Sequence, residues 1–501
     1  MEKSNSQPSS SKRKKCSSYQ KDEDRLSSLP EPLIHLIYSF LDIRQIGQTS
    51  IISRNWKYIW TRMPYLKFIW KMSSSWDDLN TVMKRCHFHY FVDRFLLLRA
   101  DSDIQKFQID CDKWWDPVHI HTWVSVAVKR NLQELYIDIT PEKDIQMVRF
   151  PTSLFTCESL KVMQLKFSSE PPQVFLSLPR IISLPSLKTL EFSSVMFIEE
   201  LSRLISNCPV LKSLRLIMCS FQESTTLNIS ALQLEDLVID NWYHCDEFVF
   251  KLNTPSLTSF KCEDFMPNNY VVENVSSLVK ADIGMVVDYD IEIKGFELYL
   301  EKRAEFGQHV IKILLELCSV KSLTLSSWSL QFLSEALQEI EQHFHLFRNL
   351  RSLAVTAYCN SPCLRTITHL LKSLPDLETL IVHIDEEFCP SVQEGESWAM
   401  EEASSDKHDK CWESELLSEQ LFKNVKRVEI MRFEGCEIEK EFVKFLLKNC
   451  VVLERLVINN VEVSSIDREK RLREFNQDIA AFPRASPCVA ICFICQVKRK
   501  Q

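Results

Sequence analysis

A chain of 501 residues can hold several average domains, or one small module followed by a long array. Its apolar content of 45% and charged content of 26% are ordinary for a soluble globular protein, and no apolar run is long enough to span a bilayer. The net charge of −8 argues against a nucleic-acid binder, and the six scattered glycines argue against a phosphate-binding loop, which needs clustered glycines.

Residues 1–24 are polar and rich in Ser and Lys, which predicts a disordered N-terminal tail. The tail contains a basic cluster over residues 12–15, which is either a nuclear import signal or a solvated part of the tail. No apolar signal core is present, and the eighteen cysteines lack the spacing of a disulfide framework. We therefore expect reduced, buried cysteines and a location in the nucleus, the cytoplasm or both.

Residues 25–65 combine a Leu29-Pro30 start, spaced aliphatic residues and the pair Trp56 and Trp60. The pattern predicts two short amphipathic helices in about thirty residues, which is too little chain to bury a core of its own. Tryptophans four residues apart on a helix usually pack into a core, but here too little local chain is available to cover both. We interpret the segment as an all-α docking module whose apolar residues meet a partner.

A Leu-x-x-Leu-x-Leu unit recurs through residues 131–384 and again near the C-terminus, after residues 66–130, which we interpret as a linker and entry cap. Nine of the eleven steps between successive units are 21 to 30 residues long, near the period of leucine-rich repeats, and two are 42 and 48 residues long. The units start at Leu132, Leu160, Leu187, Leu211, Leu234, Leu257, Leu278, Val320, Leu350, Leu377, Val425 and Leu453.

The alternating apolar residues of each unit predict a short strand with one face in a core, and stretches such as residues 199–206 predict intervening helices. A single unit cannot bury its apolar face, so the units must stack. The predicted fold class is α/β: an N-terminal all-α module, then a leucine-rich-repeat solenoid with parallel strands on the concave side and helices on the convex side. An ordinary α/β domain with internal pseudo-periodicity is the alternative.

The repeat pattern stops at residues 385–417, where eleven acidic residues stand against two lysines, and we expect a flexible acidic insertion there. Residues 418–501 then predict a strand, a helix over 437–448 and a strand over 453–458. The alternation of Val489, Ile491 and Phe493 indicates one more strand. We interpret this part as a cap that closes the repeat array.

The segment 25–65 resembles an F-box, on its Leu-Pro start, its spaced aliphatic residues, its Thr-Ser step and its Trp-x-x-x-Trp pair. The segment 418–501, with its flanking Trp-Glu and Ser-Pro-Cys sequences, resembles the FBD region of plant F-box proteins. The chain is thus similar to plant F-box/LRR-repeat proteins with a C-terminal FBD domain. The resemblance implies a substrate-recognition subunit of a cullin-RING (SCF-type) ubiquitin ligase, bound to a Skp-family adaptor and, through it, to a cullin.

Two sets of binding residues follow from these interpretations. The expected adaptor-binding residues are Leu29, Pro30, Leu33, Ile34, Ile37, Leu41, Ile52, Trp56 and Trp60. In the repeats, residues between the core leucines face the concave side, where a client protein can bind. The expected client-binding residues are Glu134, Tyr136, Glu191, Arg215, Asp236, Asp240, Lys261 and Glu263. This mostly acidic row favours a client with a basic face; the alternative is that these are merely solvated strand residues.

Three His-x-His pairs, at residues 87/89, 119/121 and 343/345, and one Cys-x-x-Cys at residues 492–495 are the candidate metal ligands. None has further ligands at supporting spacing, so surface histidines and core cysteines are favoured. No local motif pairs a nucleophile with a base. We expect no catalytic residue, no metal and no cofactor, and neither a nucleic acid nor a membrane as a partner.

Other functions stay open at this point. A leucine-rich-repeat scaffold would use the F-box-like segment for some other binding role, and a small-molecule receptor would hold a ligand on the concave face. Neither would act through a ubiquitin ligase. An enzyme is a third alternative, and the client is not readable from the sequence.

Overall fold

The structure is a computed structural model, and it describes residues 29–41, 43–49, 56–71, 79–112, 116–140, 146–168, 174–197, 201–221, 226–241, 248–265, 269–286, 296–358, 360–385, 422–461 and 466–496. The predicted tail, Ile52 and the predicted acidic insertion beyond Asp385 lie outside these residues.

One parallel sheet of fifteen strands forms the concave side of the protein, and the strand order follows the chain. Its strands are β1 (Tyr65–Trp70), β2 (Lys106–Cys111), β3 (Glu134–Ile139), β5 (Val162–Phe167), β7 (Thr189–Ser193), β9 (Ser213–Ile217), β12 (Asp236–Asn241), β14 (Ser259–Phe265), β16 (Lys280–Val286), β17 (Ser322–Leu325), β18 (Ser352–Ala357), β19 (Thr379–Ile384), β20 (Arg427–Met431), β21 (Arg455–Val461) and β22 (Ala490–Gln496). Because neighbouring strands pair in register, equivalent side chains of successive repeats form rows across the sheet.

The predicted α/β solenoid is confirmed. All twelve repeat units supply strands of this sheet, and the leucine or valine that opens each unit is buried. Along a strand such as β5, buried residues alternate with half-exposed ones, so one face enters the core and the other faces the concave surface. Residues 66–130, expected to be a linker and entry cap, themselves contribute β1 and β2 to the sheet.

The convex side changes along the chain. Between β3 and β16 it is built mainly from two small parallel sheets, one of β4 (Gln146–Val148), β6 (Val174–Leu176), β8 (Val195–Phe197) and β10 (Ser220–Phe221), the other of β11 (Thr226–Ser230), β13 (Val249–Asn253) and β15 (Asn269–Glu273). The 42-residue step instead contains a 21-residue helix.

The described helices lie before β3, between β8 and β9, and after β16. They are α1 (Glu31–Tyr38), α2 (Ile43–Thr49), α3 (Trp56–Ile59), α4 (Leu79–Leu98), α5 (Pro117–Val128), α6 (Leu201–Ser206), α7 (Phe296–Glu316), α8 (Ser327–Leu333), α9 (Leu337–His343), α10 (Ser361–Ser373), α11 (Glu437–Asn449) and α12 (Ile466–Asp478). Local chemistry starts several of them: the Asp116 side chain accepts a hydrogen bond from the Val118 N–H at the start of α5. No described helix is long and apolar enough to cross a membrane.

The N-terminal helices are tied directly to the sheet. Trp60 packs against Phe95 of α4 with ring centroids 4.8 Å apart. Arg99, just after α4, is buried and donates hydrogen bonds to the backbone oxygens of Met63 and, at 2.8 Å, of Asp103. Burial, and next the charge of Arg130, lower the pKa of Arg99 to about 10, so it stays charged at neutral pH. The guanidinium thus fastens the end of the N-terminal module to the first repeats.

The C-terminal repeats are joined by a buried carboxylate cluster. Glu439 of α11 accepts hydrogen bonds from the backbone N–H groups of Glu434 and Gly435 at 3.0 and 2.6 Å. The Glu434 carboxylate in turn lies 2.7 Å from Arg468 and 3.9 Å from Arg471, both on α12. Two charge-assisted contacts therefore fix the orientation of α12 against the preceding repeat.

Candidate functional site

The first helix carries two apolar stripes, and one of them belongs to the core. Ile34 and Tyr38 are buried. The Tyr38 ring meets Trp56 edge to face with centroids 5.7 Å apart, and the Thr49 hydroxyl donates to the Tyr38 oxygen at 3.0 Å. Burial raises the pKa of Tyr38, so the phenol stays neutral. This inner stripe holds the three short helices together.

The other stripe of α1 faces outward. Leu33, Leu36 and Ile37 of α1, and Phe40 in the turn that follows it, are 47%, 54%, 38% and 80% exposed. They stand at positions i, i+3, i+4 and i+7, the spacing that places residues on one helix face. Contiguous exposed apolar side chains on a small helical segment mark a binding surface. We call these four residues the outer α1 face.

The structure separates the predicted adaptor-binding residues by environment. Leu33 and Ile37 lie on the outer α1 face, and Pro30 is exposed at the start of α1. Ile34 and Trp56 are buried in the protein's own core.

Three further predicted residues, Leu29, Leu41 and Trp60, are partly buried against that core. Sequence reasoning missed Leu36 and Phe40, although the helical spacing from Leu33 could have identified them. Two stripes on α1 have apolar residues, so the pattern alone does not tell which stripe faces inward.

The predicted client-binding residues lie in three rows on five of the six successive concave strands from β3 to β14; β5 carries none of them. Strand register places Glu134 and Asp236 in one row, Tyr136, Glu191, Arg215 and Lys261 in the next, and Asp240 and Glu263 in the third. The sheet therefore brings together residues that are up to about 130 positions apart in sequence, because each repeat adds one strand.

Tyr136 stands beside one acidic and one basic side chain. Its hydroxyl donates to the Glu134 carboxylate at 3.1 Å, and the Lys106 ammonium lies over its ring, 4.3 Å from the centroid. Burial, and next the charge of Glu134, raise the pKa of Tyr136 to about 12. The ring is a fixed aromatic contact on the concave face.

Glu191 differs from the other acidic residues because it is only 4% exposed. Its carboxylate lies 2.8 Å from Lys166 and 3.9 Å from Arg215, which belong to the two neighbouring strands. Lys166 and Arg215 themselves are half-exposed. At this place the concave face presents two cations over a buried carboxylate.

A second charged group lies farther along the sheet, on β12, β14 and β16. Lys261 pairs with Glu263 at 3.0 Å. Burial, and next the charge of Glu263, raise the pKa of Asp240, and burial also raises the pKa of Asp282. The Oδ1 atom of Asp240 is buried and has no hydrogen-bond partner in the described part of the chain. Asp236, in contrast, accepts a hydrogen bond from Ser213 at 3.2 Å.

The histidine candidates do not assemble into a metal site in the described residues, and the side chain of Cys495 lies outside them. The His-x-His pairs lie on helices or a helical turn, where residues two apart point to different sides. His89 stacks on His119 at 4.5 Å, and His119 lies 3.7 Å from Asp93. Within the described ranges, no group of three or more His, Cys, Asp or Glu is placed to hold a metal ion.

Three family models match the chain in the order of its structural parts. The F-box domain matches residues 26–68, the LRR repeats of the FBD-associated F-box protein At5g56370 match residues 120–279, and FBD matches residues 419–458.

Similar proteins are found in Arabidopsis thaliana. F-box protein At4g09920 is 32% identical over 297 residues, which are 56% of this chain and 90% of that protein. F-box/FBD/LRR-repeat protein At1g51370 is 27% identical over 494 residues, covering 96% and 98% of the two chains. FBD-associated F-box protein At4g13985 is 28% identical over 482 residues, covering 93% and 95%. With its N-terminal helical module, repeat solenoid and C-terminal unit, the chain belongs to the plant F-box/LRR-repeat proteins with a C-terminal FBD domain.

Proposed function

We propose that this protein is the substrate-recognition subunit of a cullin-RING (SCF-type) ubiquitin ligase. In this proposal the outer α1 face docks on a Skp-family adaptor and so connects the chain to a cullin. The proposal depends chiefly on one observation: four exposed apolar side chains stand on one side of the first helix and the turn after it, within the residues that match the F-box domain. Apolar anchors of this kind commonly carry about 2 kcal/mol or more each at an interface centre.

The concave face is the proposed client surface. It exposes cations (Lys166, Arg215) and anions (Glu263, Asp236) on neighbouring strands, and such charges select partners by complementarity more than by raw affinity. The acidic residues Glu134, Asp236, Asp240 and Glu263 leave the rows mostly negative, so a client with a basic face is favoured. Lys166 and Arg215 would in turn meet an acidic residue near the middle of that client face.

The attachment of the N-terminal helices supports a positional role. Arg99 and the Trp60–Phe95 contact join the F-box segment to the sheet, so a client on the concave face would keep a set position relative to the adaptor. The chain would then act by raising the effective concentration of client lysines near an activated ubiquitin carrier. In this role the ubiquitin-transfer chemistry belongs to other subunits.

Co-purification with a plant Skp-family adaptor tests the adaptor interface. Leu36→Glu with Phe40→Glu places two charges on the outer α1 face and should reduce adaptor recovery at least about tenfold. The matched control is Leu232→Glu, since Leu232 is also an exposed leucine (67%) but lies in the turn after β11. Undiminished recovery with the double variant would contradict the proposal and favour a scaffold or a small-molecule receptor that does not act through a ubiquitin ligase.

A further inference from the structure

The last strand of the sheet has an unprotected edge. β22 pairs with β21 on one side, and no strand lies on its other side in the described part of the chain. Its sequence, Ala-Ile-Cys-Phe-Ile-Cys-Gln, contains no charged residue, no proline and no glycine. Edge strands of native proteins usually carry such residues, because a bare row of N–H and C=O groups invites another strand. The opposite edge differs, since α2 packs against β1.

The core is also open at this end. Phe493 is 43% exposed although it lies on the core side of β22, where its ring is 6.3 Å from Phe475 of α12. Ile494, on the concave side, is 43% exposed as well. A solenoid repeat that no other repeat covers normally has a polar outer face. This end instead presents a surface suited to another strand with an apolar inner face.

The flank of α12 that borders this edge indicates what covers it. Arg471 reaches back to Glu434 of the preceding repeat, so the flank on the other side of the helix faces outward, toward the open end. That outward flank carries Glu469 and Arg473, which form an exposed ion pair one turn apart. An acidic and a basic residue on one flank are self-complementary under a two-fold axis, because Glu469 of one copy can meet Arg473 of the other and the reverse.

We propose that the open edge is occupied by a second copy of this chain, with the two β22 strands antiparallel about a two-fold axis. The uncharged residues of the two β22 strands would face each other across the interface between the copies, and the open cores would close on each other. Glu469 of each copy would pair with Arg473 of the other. A two-fold, isologous contact is the commonest way in which identical chains associate. This proposal is independent of the adaptor interface, which lies at the other end of the sheet.

Mass measurements on the full chain test the second copy. In reducing buffer, which removes disulfides as a cause, the protein should be a dimer at tens of micromolar. Ile494→Lys should raise the dimer dissociation constant at least about tenfold, because it adds an edge charge without touching the core. A native mass of one copy at every concentration, or equal dissociation constants for native protein and variant, would overturn the proposal.

A charge-swap mixture distinguishes contact between copies from a structural role of the ion pair. Arg473→Glu makes the outward flank acidic and Glu469→Arg makes it basic, so each variant alone should dimerise weakly. Mixed together, they should form a heterodimer at close to the native level. The ion pair between residues 469 and 473 of the same copy stays broken in both variants, so only contact between the two copies can restore association. Failure of the mixture to associate better than either variant alone would contradict the two-fold arrangement.

Discussion

The rings of Tyr38 and Trp56 meet edge to face, with centroids 5.7 Å apart, inside the N-terminal module. This contact turns one stripe of α1 inward and leaves the opposite stripe exposed. The same helix therefore does two things: Ile34 and Tyr38 hold the module together, and the outer α1 face remains available for a partner.

The first prediction separates these two roles. Trp56→Ala should open a cavity beside Tyr38 and destabilise the module by about 3 kcal/mol or more. Amide hydrogen exchange in α1 and α2 should become faster, while exchange in the repeats stays unchanged. Phe40→Ala is the control, because Phe40 is exposed and its loss leaves no internal cavity. Equal exchange rates in the two variants would show that Trp56 is not a core residue.

The second prediction concerns the joint between the module and the sheet. Arg99→Ala removes a buried cation that donates to the backbone of Met63 and Asp103, which leaves those carbonyl groups unsatisfied. We expect a loss of about 2 kcal/mol or more in the free energy of unfolding, measured by chemical denaturation. Arg94→Ala, which removes an exposed contact with Tyr90 on the same helix, should change it by less than about 0.5 kcal/mol. If Arg99→Ala also changed the free energy of unfolding by less than about 0.5 kcal/mol, the joint would not depend on Arg99.

The third prediction compares two carboxylates of the concave face. Glu191→Gln removes the buried charge between Lys166 and Arg215 and should destabilise the protein by about 1 to 3 kcal/mol. Glu263→Gln removes only a half-exposed partner of Lys261 and should cost no more than about 1 kcal/mol. Denaturant midpoints of the two variants measure the difference, and the reverse order would refute the structural role of Glu191.

The fourth prediction is a pH dependence of client capture. Burial raises the pKa values of Asp138, Asp240 and Asp282 above the ordinary 3.8. The folded protein thus holds these protons more tightly than the unfolded chain, so these groups favour folding as the pH falls and cost stability above their folded pKa. Acidification should therefore neutralise these three carboxylates at a pH above the pKa of an ordinary carboxylate. Capture of a basic client should then weaken, although the protonation of these groups does not unfold the protein.

Asp240→Asn tests this linkage at one residue. The variant should lose part of the pH dependence of client capture, while its unfolding midpoint at neutral pH stays equal or rises, because the Oδ1 atom is buried without a hydrogen-bond partner in the described residues. Binding isotherms across a pH series, together with thermal melts, provide both readouts. A lowered midpoint would show that the charged form of Asp240 stabilises the fold.

The fifth prediction uses two of the six glycines. A Cβ at Gly307 of α7 would lie 2.7 Å from the Phe332 backbone oxygen of α8, so Gly307→Ala should force the two helices apart and cost about 1 to 3 kcal/mol. A Cβ at Gly47 of α2 meets nothing within 4 Å, and Gly47→Ala should stabilise that helix by about 0.5 to 1 kcal/mol. Thermal melts and hydrogen exchange compare the two variants. Equal changes in stability for Gly307→Ala and Gly47→Ala would contradict the prediction.

The repeat architecture was readable from the sequence because each unit repeats the same local pattern. Buried leucines such as Leu160 and Leu350 recur at a nearly fixed spacing, and alternation within the unit indicates a strand. β1 and β2 were not recognised as repeat units. Their segments 63–68 and 104–109 have the same apolar spacing, but Met, Phe and Ile replace most of the leucines of the consensus. The strands on the convex side were not predicted either, because segments of three to five residues carry too little periodicity to identify a strand.

What the sequence determined by itself is the set of local preferences: strands where leucines alternate, short helices at the N-terminus, and the order of the parts. Only the tertiary structure decided which of two apolar stripes on α1 is buried, because Trp56 lies 18 positions after Tyr38 and selects the stripe by packing. The same holds for Glu191, whose burial depends on cations from two other strands, and for the edge of β22, which pairs with no further strand in the described part of the chain. Such features depend on contacts between distant residues, and a local pattern does not contain them.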